Sequence, residues 1–289
     1  MASQGFRFIH ASDFRLESPV DGLMSLPERF EELVLDAPRR AAERVFDAAL
    51  REKVDFLVLS GDLLSARQTG PWGMLFLIEQ FTRLEAAKIP VYWSTGQSDS
   101  PDVLPSSFRF PSNVHIFPVG EIEEKYEFRD GSPYVRILGT SYGKSGVVPR
   151  NGSALANDSD DLYTIALYNG RPSSEILKSE YVNYWALGGS RERETLLRSP
   201  SLAIVSGSTL ARNFTETGEY GATLVEVTES GRTNATFLRT SPLRWSTETL
   251  EIRDEETEEE ILTAARSRLK SIQEKELEDA TLTGRAVED

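Results

Sequence analysis

Asp13 and Asp62 each stand just beyond a short apolar run, in Phe8-Ile-His-Ala-Ser-Asp-Phe-Arg15 and Leu57-Val-Leu-Ser-Gly-Asp-Leu-Leu64. Carboxylates at strand ends can hold a cation, or they can form a buried acidic pair. Three further blocks follow in order: Ser94-Thr-Gly-Gln-Ser-Asp-Ser-Pro101, Ala166-Leu-Tyr-Asn-Gly170 and Trp185-Ala-Leu-Gly-Gly-Ser-Arg191. They add the amides of Gln97 and Asn169, a hydroxyl beside a carboxylate at Ser98 and Asp99, and a second guanidinium, Arg191, to join Arg15. Ser98 could serve as a nucleophile, but no histidine lies near it in sequence, so loop-capping hydrogen bonds are expected for Ser98 and Asp99. Arg15 and Arg191 could contact a DNA phosphate, although internal salt bridges are the simpler expectation. The chain has no cysteine, which excludes a thiolate nucleophile and a cysteine zinc site. Its two histidines, His10 and His115, are too few for an imidazole-rich centre.

The elements that would position these residues read as an α/β fold. Phe6–Ala11 is a short buried strand, and Asp36 with Pro38 marks the first turn of a helix reaching about Lys53. Phe56–Ser60 is the next strand, Met74–Ala87 a second helix, and Ile89–Ser94 a third strand. This alternation implies a parallel sheet whose strand ends carry the site. Beyond Val114 the pattern turns to short strands: Tyr126–Phe128, Val135–Gly139, Tyr163–Tyr168, Val182–Leu187, Ala203–Ser206, Ala222–Val227 and Ala235–Arg239. His115 falls within a strand. The polar stretch from Asn151 to Asp161 reads as a mobile surface loop. Gly139-Thr-Ser-Tyr-Gly-Lys-Ser145 does not meet the spacing of a phosphate-binding loop. Trp72, Trp93, Trp185 and Trp245 show no base-stacking pattern, and packing is expected for them. Glu255 to about Leu277 forms a helix with a narrow apolar stripe through Ile261, Ala265, Leu269 and Ile272. Two parts follow: residues 1–250, and an acidic helical extension, 251–289, that could dock a partner.

Composition bounds the function. The chain has 289 residues and a net charge of −14. From Leu250 to Asp289 there are thirteen acidic and six basic residues, a net of −7. Such a polyanion repels nucleic acid, so DNA is expected to be met only weakly or through a partner. No apolar run approaches a membrane span and the start does not read as a signal peptide, so a cytoplasmic location is expected.

The five blocks, in this order and spacing, resemble those of the calcineurin-like metallophosphoesterases, which read D-x-H, G-D, G-N-H-D, H and G-H-x-H. Within that superfamily His10-Ala-Ser-Asp-Phe-Arg-Leu-Glu-Ser-Pro19, Val54–Asp62, Gly96–Pro101, Tyr184–Gly188 and the late segments Ser206-Gly-Ser208 and Glu216–Gly221 are similar to the SbcD-like subunits of bacterial DNA repair exonucleases. The resemblance implies a four-layer αββα sandwich with two mixed central sheets, two divalent cations (often manganese), and phosphodiester hydrolysis. It also implies an SMC-like coiled-coil ATPase as partner, and makes a homodimer plausible.

Residue by residue, the resemblance implies a site with most ligands replaced. Asp13 and Asp62 keep carboxylate positions. Arg15 stands where the first histidine belongs, Gln97 where an asparagine does, and Ser98 where the histidine that protonates the leaving group does. Asn169 takes the next histidine's place, and Gly189 and Arg191 the last two. Glycine has no ligand atom, and a guanidinium has no lone pair and repels a cation. The expectation is a protein without a working metal centre, in which Arg15 and Arg191 supply the missing positive charge through Arg–Asp pairs. Its role would be that of a scaffold or regulatory subunit in DNA repair. The alternative is an active manganese-dependent exonuclease or phosphodiesterase with an altered site.

Overall fold

The strand Phe6–Ala11 (β1), buried except at Arg7, lies in the middle of a sheet, antiparallel to Gly221–Val227 (β11) and parallel to Phe56–Leu59 (β2). The computed structural model describes residues 5–23, 28–105, 107–143, 162–178, 181–253 and 257–282. Val91–Trp93 (β3) and Val114–Ile116 (β4) extend the parallel set, and Thr233–Arg239 (β12) closes the other edge, in the order β12-β11-β1-β2-β3-β4. A second six-stranded sheet runs β5-β6-β7-β8-β10-β9. It comprises Glu123–Arg129 (β5), Ser132–Thr140 (β6), Tyr163–Asn169 (β7), Tyr184–Gly188 (β8), Glu194–Leu197 (β9) and Leu202–Val205 (β10). In it β6, β7, β8 and β10 are parallel, with antiparallel edges.

Alternation along the strands builds three apolar layers. Ile9, Leu57, Leu59 and Trp93 face the helices Glu28–Arg51 (α1) and Ala66–Ala86 (α2), meeting Val45, Phe46, Leu77 and Phe81. Phe6, Phe8, Phe56 and Val58 face inward against Ile137, Ile165, Tyr184 and Ile204 of the second sheet. Leu138, Ala166, Trp185 and Val205 pack outward on Ile176 and Leu177 of the short helix Ser174–Leu177 (α3). The result is the expected αββα sandwich of two mixed sheets.

Several local expectations shift. α1 begins at Glu28, ahead of the expected start at Asp36, which lies inside the helix. The Asp36 carboxylate is not a cap; it accepts from Arg39 (Nε to Oδ1, 2.6 Å) and Arg40 (Nε to Oδ2, 3.1 Å). α2 likewise starts before Met74, with Gly70 (φ 61°) and Pro71 breaking it into two pieces that share one run. β9 and α3, four residues each, are too short to show a period. The stretch 151–161 and residues Lys144 and Ser145 lie outside the described residues.

Contacts divide the chain into Met1–Trp245 and Ser246–Asp289. The second unit contains the helix Glu258–Leu282 (α4), entered through a capping box in which Thr257 N–H donates to Glu260 Oε2 at 2.8 Å. Glu255, where this helix was expected to start, is outside the described residues. No helix among the described residues is long and apolar enough to cross a membrane.

Candidate functional site

The loops leaving β1 and β2 cross at the carboxyl ends of the first sheet, where their backbones are bonded to each other. Asp13 N–H donates to Gly61 O (2.9 Å), Arg15 N–H to Asp62 O (3.2 Å) and Leu16 N–H to Leu63 O (3.1 Å). These bonds hold Asp13 (φ 51°), Arg15 (φ 42°) and Asp62 (φ 58°) in the left-handed region. A non-glycine residue there stores on the order of 1 kcal/mol, and such strain gathers at functional sites. The space is tight: a Cβ at Gly96 would lie 2.5 Å from the Asp62 carboxylate.

Asp62 is buried and its carboxylate is enclosed by donors. Ser98 gives its N–H (3.2 Å) and hydroxyl (2.9 Å) to Oδ1, and Asn169 Nδ2 donates to Oδ2 at 2.9 Å. Asn169 Nδ2 also reaches Ser60 O at 2.7 Å, tying β7 to the end of β2. Asp13 is equally buried. Its Oδ1 accepts from Arg15 Nε at 2.7 Å, and its Oδ2 lies 3.6 Å from Arg212 Nη1. Arg15 leans between the two acids, with Nη2 4.0 Å from Asp62 Oδ1. Burial alone would weaken the Arg15 guanidinium as a base, but Asp13 and Asp62 outweigh it and raise its pKa.

Arg212 is the residue that the sequence reading missed. It is only 3% exposed, and it donates to Phe14 O (2.8 Å), Ser208 Oγ (2.7 Å) and Leu210 O (3.3 Å). Arg191, expected to pair with an aspartate of the site, instead gives Nη1 to Glu216 Oε1 at 2.8 Å and stands half exposed. The reason is reach: Arg191 follows the turn at Gly189 (φ 78°) outward, whereas the segment after Ser206-Gly-Ser208 runs back under the Asp13 loop. Arg212 lies four positions after Ser208, so this late block was the available signal.

Gln97 is exposed and Gly189 closes on Asn169, where a Cβ would meet Oδ1 at 3.3 Å. Asp99 is buried behind the loop and accepts backbone N–H groups from Asp62 (3.1 Å), Leu63 (2.7 Å) and Gly96 (2.5 Å). Ser98 and Asp99 therefore form loop-ordering hydrogen bonds. His10 bonds Tyr184 Oη (3.0 Å) through Nδ1 and Ser60 Oγ (2.9 Å) through Nε2, so both ring nitrogens are occupied. His115 pairs with Glu123 at the far end of the sheet order. No group of three or more His, Asp or Glu able to hold an ion occurs among the described residues.

Two of these buried groups predict a pH signature. Burial, then the Arg193 charge, lowers the His10 pKa to about 3, so the unfolded chain binds that proton first and stability falls on acidification below about pH 6.5. Burial, then Asp62, raises Asp99 to about 7, so the folded chain binds that proton first and stability falls as pH rises from about 4 to about 7. Each slope is at most about 1.4 kcal/mol per pH unit, and they oppose one another between about pH 4 and 6.5. His10→Gln should remove the first slope and leave the second. Its urea stability should then drop from pH 4.5 to 6.5, while the parent stays nearly flat; parallel profiles would refute the assignment.

No protein-family profile matches the chain. It is 32% identical over 251 residues to YhaO of Bacillus subtilis, an uncharacterized metallophosphoesterase. The match covers 82% of this chain and 61% of YhaO, so the chain spans about three fifths of that relative. Among solved structures it is similar to a "putative 5′-nucleotidase" from Staphylococcus aureus in complex with α-ketoglutarate. That match has a TM-score of 0.51 and 12% identity, and it covers 93% of this chain and 58% of the other. The likeness to that structure is one of fold: two six-stranded mixed sheets with helices, an α/β arrangement.

Proposed function

We propose that this metallophosphoesterase-fold chain is an SbcD-like protein in which an internal guanidinium–carboxylate network replaces the metal centre. Hydrolysis is then impaired or absent, and the fold serves as a scaffold or regulatory subunit. The observation that carries this reading is the Arg15–Asp13–Arg212 cluster, with Arg15 Nε 2.7 Å from Oδ1 and Arg212 Nη1 3.6 Å from Oδ2. Asp13 Oδ1 accepts from Arg15, its Oδ2 accepts no hydrogen bond but faces the Arg212 guanidinium, and the oxygens of Asp62 accept from Ser98 and Asn169. A unit charge 4 Å from a guanidinium is repelled by about 4 kcal/mol at an effective dielectric of 20, and a divalent ion by about twice that. The replaced positions offer little in return: Gln97 is exposed, Arg191 is paired with Glu216, and glycine at 189 has no ligand atom. The residues present do not fit a two-metal centre.

The partner follows from the SbcD resemblance: an SMC-like coiled-coil ATPase, with DNA met only through it. The acidic extension 251–289 is the docking segment in this reading, supported by apolar Leu262 and Leu269 lying exposed on α4. Co-purification with and without that extension tests it.

One observation favours the alternative of an active, altered nuclease: the strained backbone at Asp13 and Asp62 persists. Elemental analysis and a manganese-dependent assay on single-stranded DNA separate the two. The expected result is substoichiometric metal and no hydrolysis that Asp62→Asn removes. Two tightly bound ions per chain, with strand scission abolished by that substitution, would overturn the proposal.

A further inference from the structure

The open edge between the two sheets holds a cavity of about 660 Å³, and neither Asp13 and Asp62 nor the residues bonded to them line it. Arg193 and Arg198, which bracket β9, meet Arg232 at the entry to β12, with Asn183, Asn234 and Phe237 completing the polar and aromatic lining. No aspartate or glutamate lines the cavity, although acidic residues outnumber basic ones 46 to 32 in the chain. None of the three arginines forms an ion pair among the described residues. Arg193 is held in place rather than neutralised: its guanidinium carbon stands 5.2 Å over the Phe237 ring, and Nη2 reaches Thr223 Oγ1 at 3.4 Å. Its Nε is buried without a hydrogen-bond partner. Burial, and Arg198 beside it, lower its pKa, as expected where cations converge without a counter-anion.

We propose that this cavity binds the phosphate groups of a nucleotide-sized organic polyphosphate. Three guanidiniums match two or more phosphoryl charges, because their planar donors suit phosphate oxygens, and one carboxylate would leave the cluster undercompensated. The volume is that of a small-molecule site. A net charge of −14 disfavours a long polyanion, whereas a small ligand needs only the local field.

The test is thermal unfolding and calorimetric titration of the full chain with pyrophosphate, tripolyphosphate and ATP at low salt without divalent cations. A saturating polyphosphate should raise the melting temperature by about 5 °C. Arg198→Ala and Arg232→Ala, both at exposed positions, should each weaken binding by about tenfold or more while leaving the ligand-free melting temperature unchanged. Arg15→Gln, in the Asp13–Asp62 cluster, should bind within about twofold of the parent. Equal affinity for tripolyphosphate and ATP places recognition in the phosphates; tighter ATP adds the base, and both support the site. No shift with any probe would overturn the proposal. So would a shift that survives Arg198→Ala and Arg232→Ala, a shift lost in Arg15→Gln, or a short single-stranded DNA that binds more tightly than ATP.

Discussion

Arg212→Ala should destabilise the Met1–Trp245 unit by about 3–5 kcal/mol, the cost of removing one partner from a buried charge pair. The Arg212 side chain is 3% exposed and the Asp13 carboxylate beside it is equally buried. Truncation would leave Asp13 Oδ2 without its cation and strip a donor from Phe14 O. At roughly 2–4 °C per kcal/mol for a unit of this size, the melting temperature should fall by about 10 °C. Arg15→Ala should cost far less, about 1 kcal/mol, because that side chain is 30% exposed and water can replace it. The ordering distinguishes an internal counter-ion from a surface charge. A double variant, Arg212→Ala with Asp13→Ala, should lose less than the sum of the two single losses, since removing both charges leaves neither stranded. Equal losses for Arg15→Ala and Arg212→Ala, or strict additivity, would mean that the cluster does not hold the Asp13 loop.

This cluster also marks the limit of what the chain discloses. The apolar runs at Phe6–Ala11 and Phe56–Leu59 are legible because buried parallel strands need continuous hydrophobicity, and the turn beyond each carries its aspartate to the strand end. The same logic places Ser98, Asp99 and Asn169 beside Asp62, since each lies at or beyond the carboxyl end of a strand of one of the two sheets. Which arginine supplies the charge is not legible, because it depends on where the chain returns after β10, a long-range event. Arg191 has the motif position but turns out toward Glu216, while Arg212 has no motif position and is buried. The start of α1 was hidden for a local reason: Asp36 and Pro38 have the chemistry of a helix start, yet Asp36 spends its carboxylate on Arg39 and Arg40 within a helix already under way. The pocket arginines were visible only as scattered charges, since β9 and β12 lie far apart in sequence and in separate sheets.

Gly188→Ala should cost a similar 3–5 kcal/mol, through backbone contact rather than charge. A Cβ at this position would sit 1.9 Å from the carbonyl oxygen of Ser60, so the end of β8 and the end of β2 would have to part. Ser60 O also accepts the Asn169 amide at 2.7 Å, and that amide donates to Asp62 at 2.9 Å. Separating the sheets here would loosen the donor set around Asp62 as well as the core. Gly189→Ala, one residue on, is the control. Its φ of 78° disfavours a side chain, but a Cβ would meet nothing closer than 3.2 Å, so the cost should be about 1–2 kcal/mol. Urea denaturation of the two variants should therefore give clearly separated midpoints, with Gly188→Ala the lower. Native-state hydrogen exchange should show that Gly188→Ala also loses protection at the Asp62 and Leu63 amides, which are held by Asp99 from the loop after β3. Coincident midpoints, or a loss of stability that leaves those two amides protected to the global level, would show that the close approach of β8 to β2 is not what holds the Asp62 loop in place.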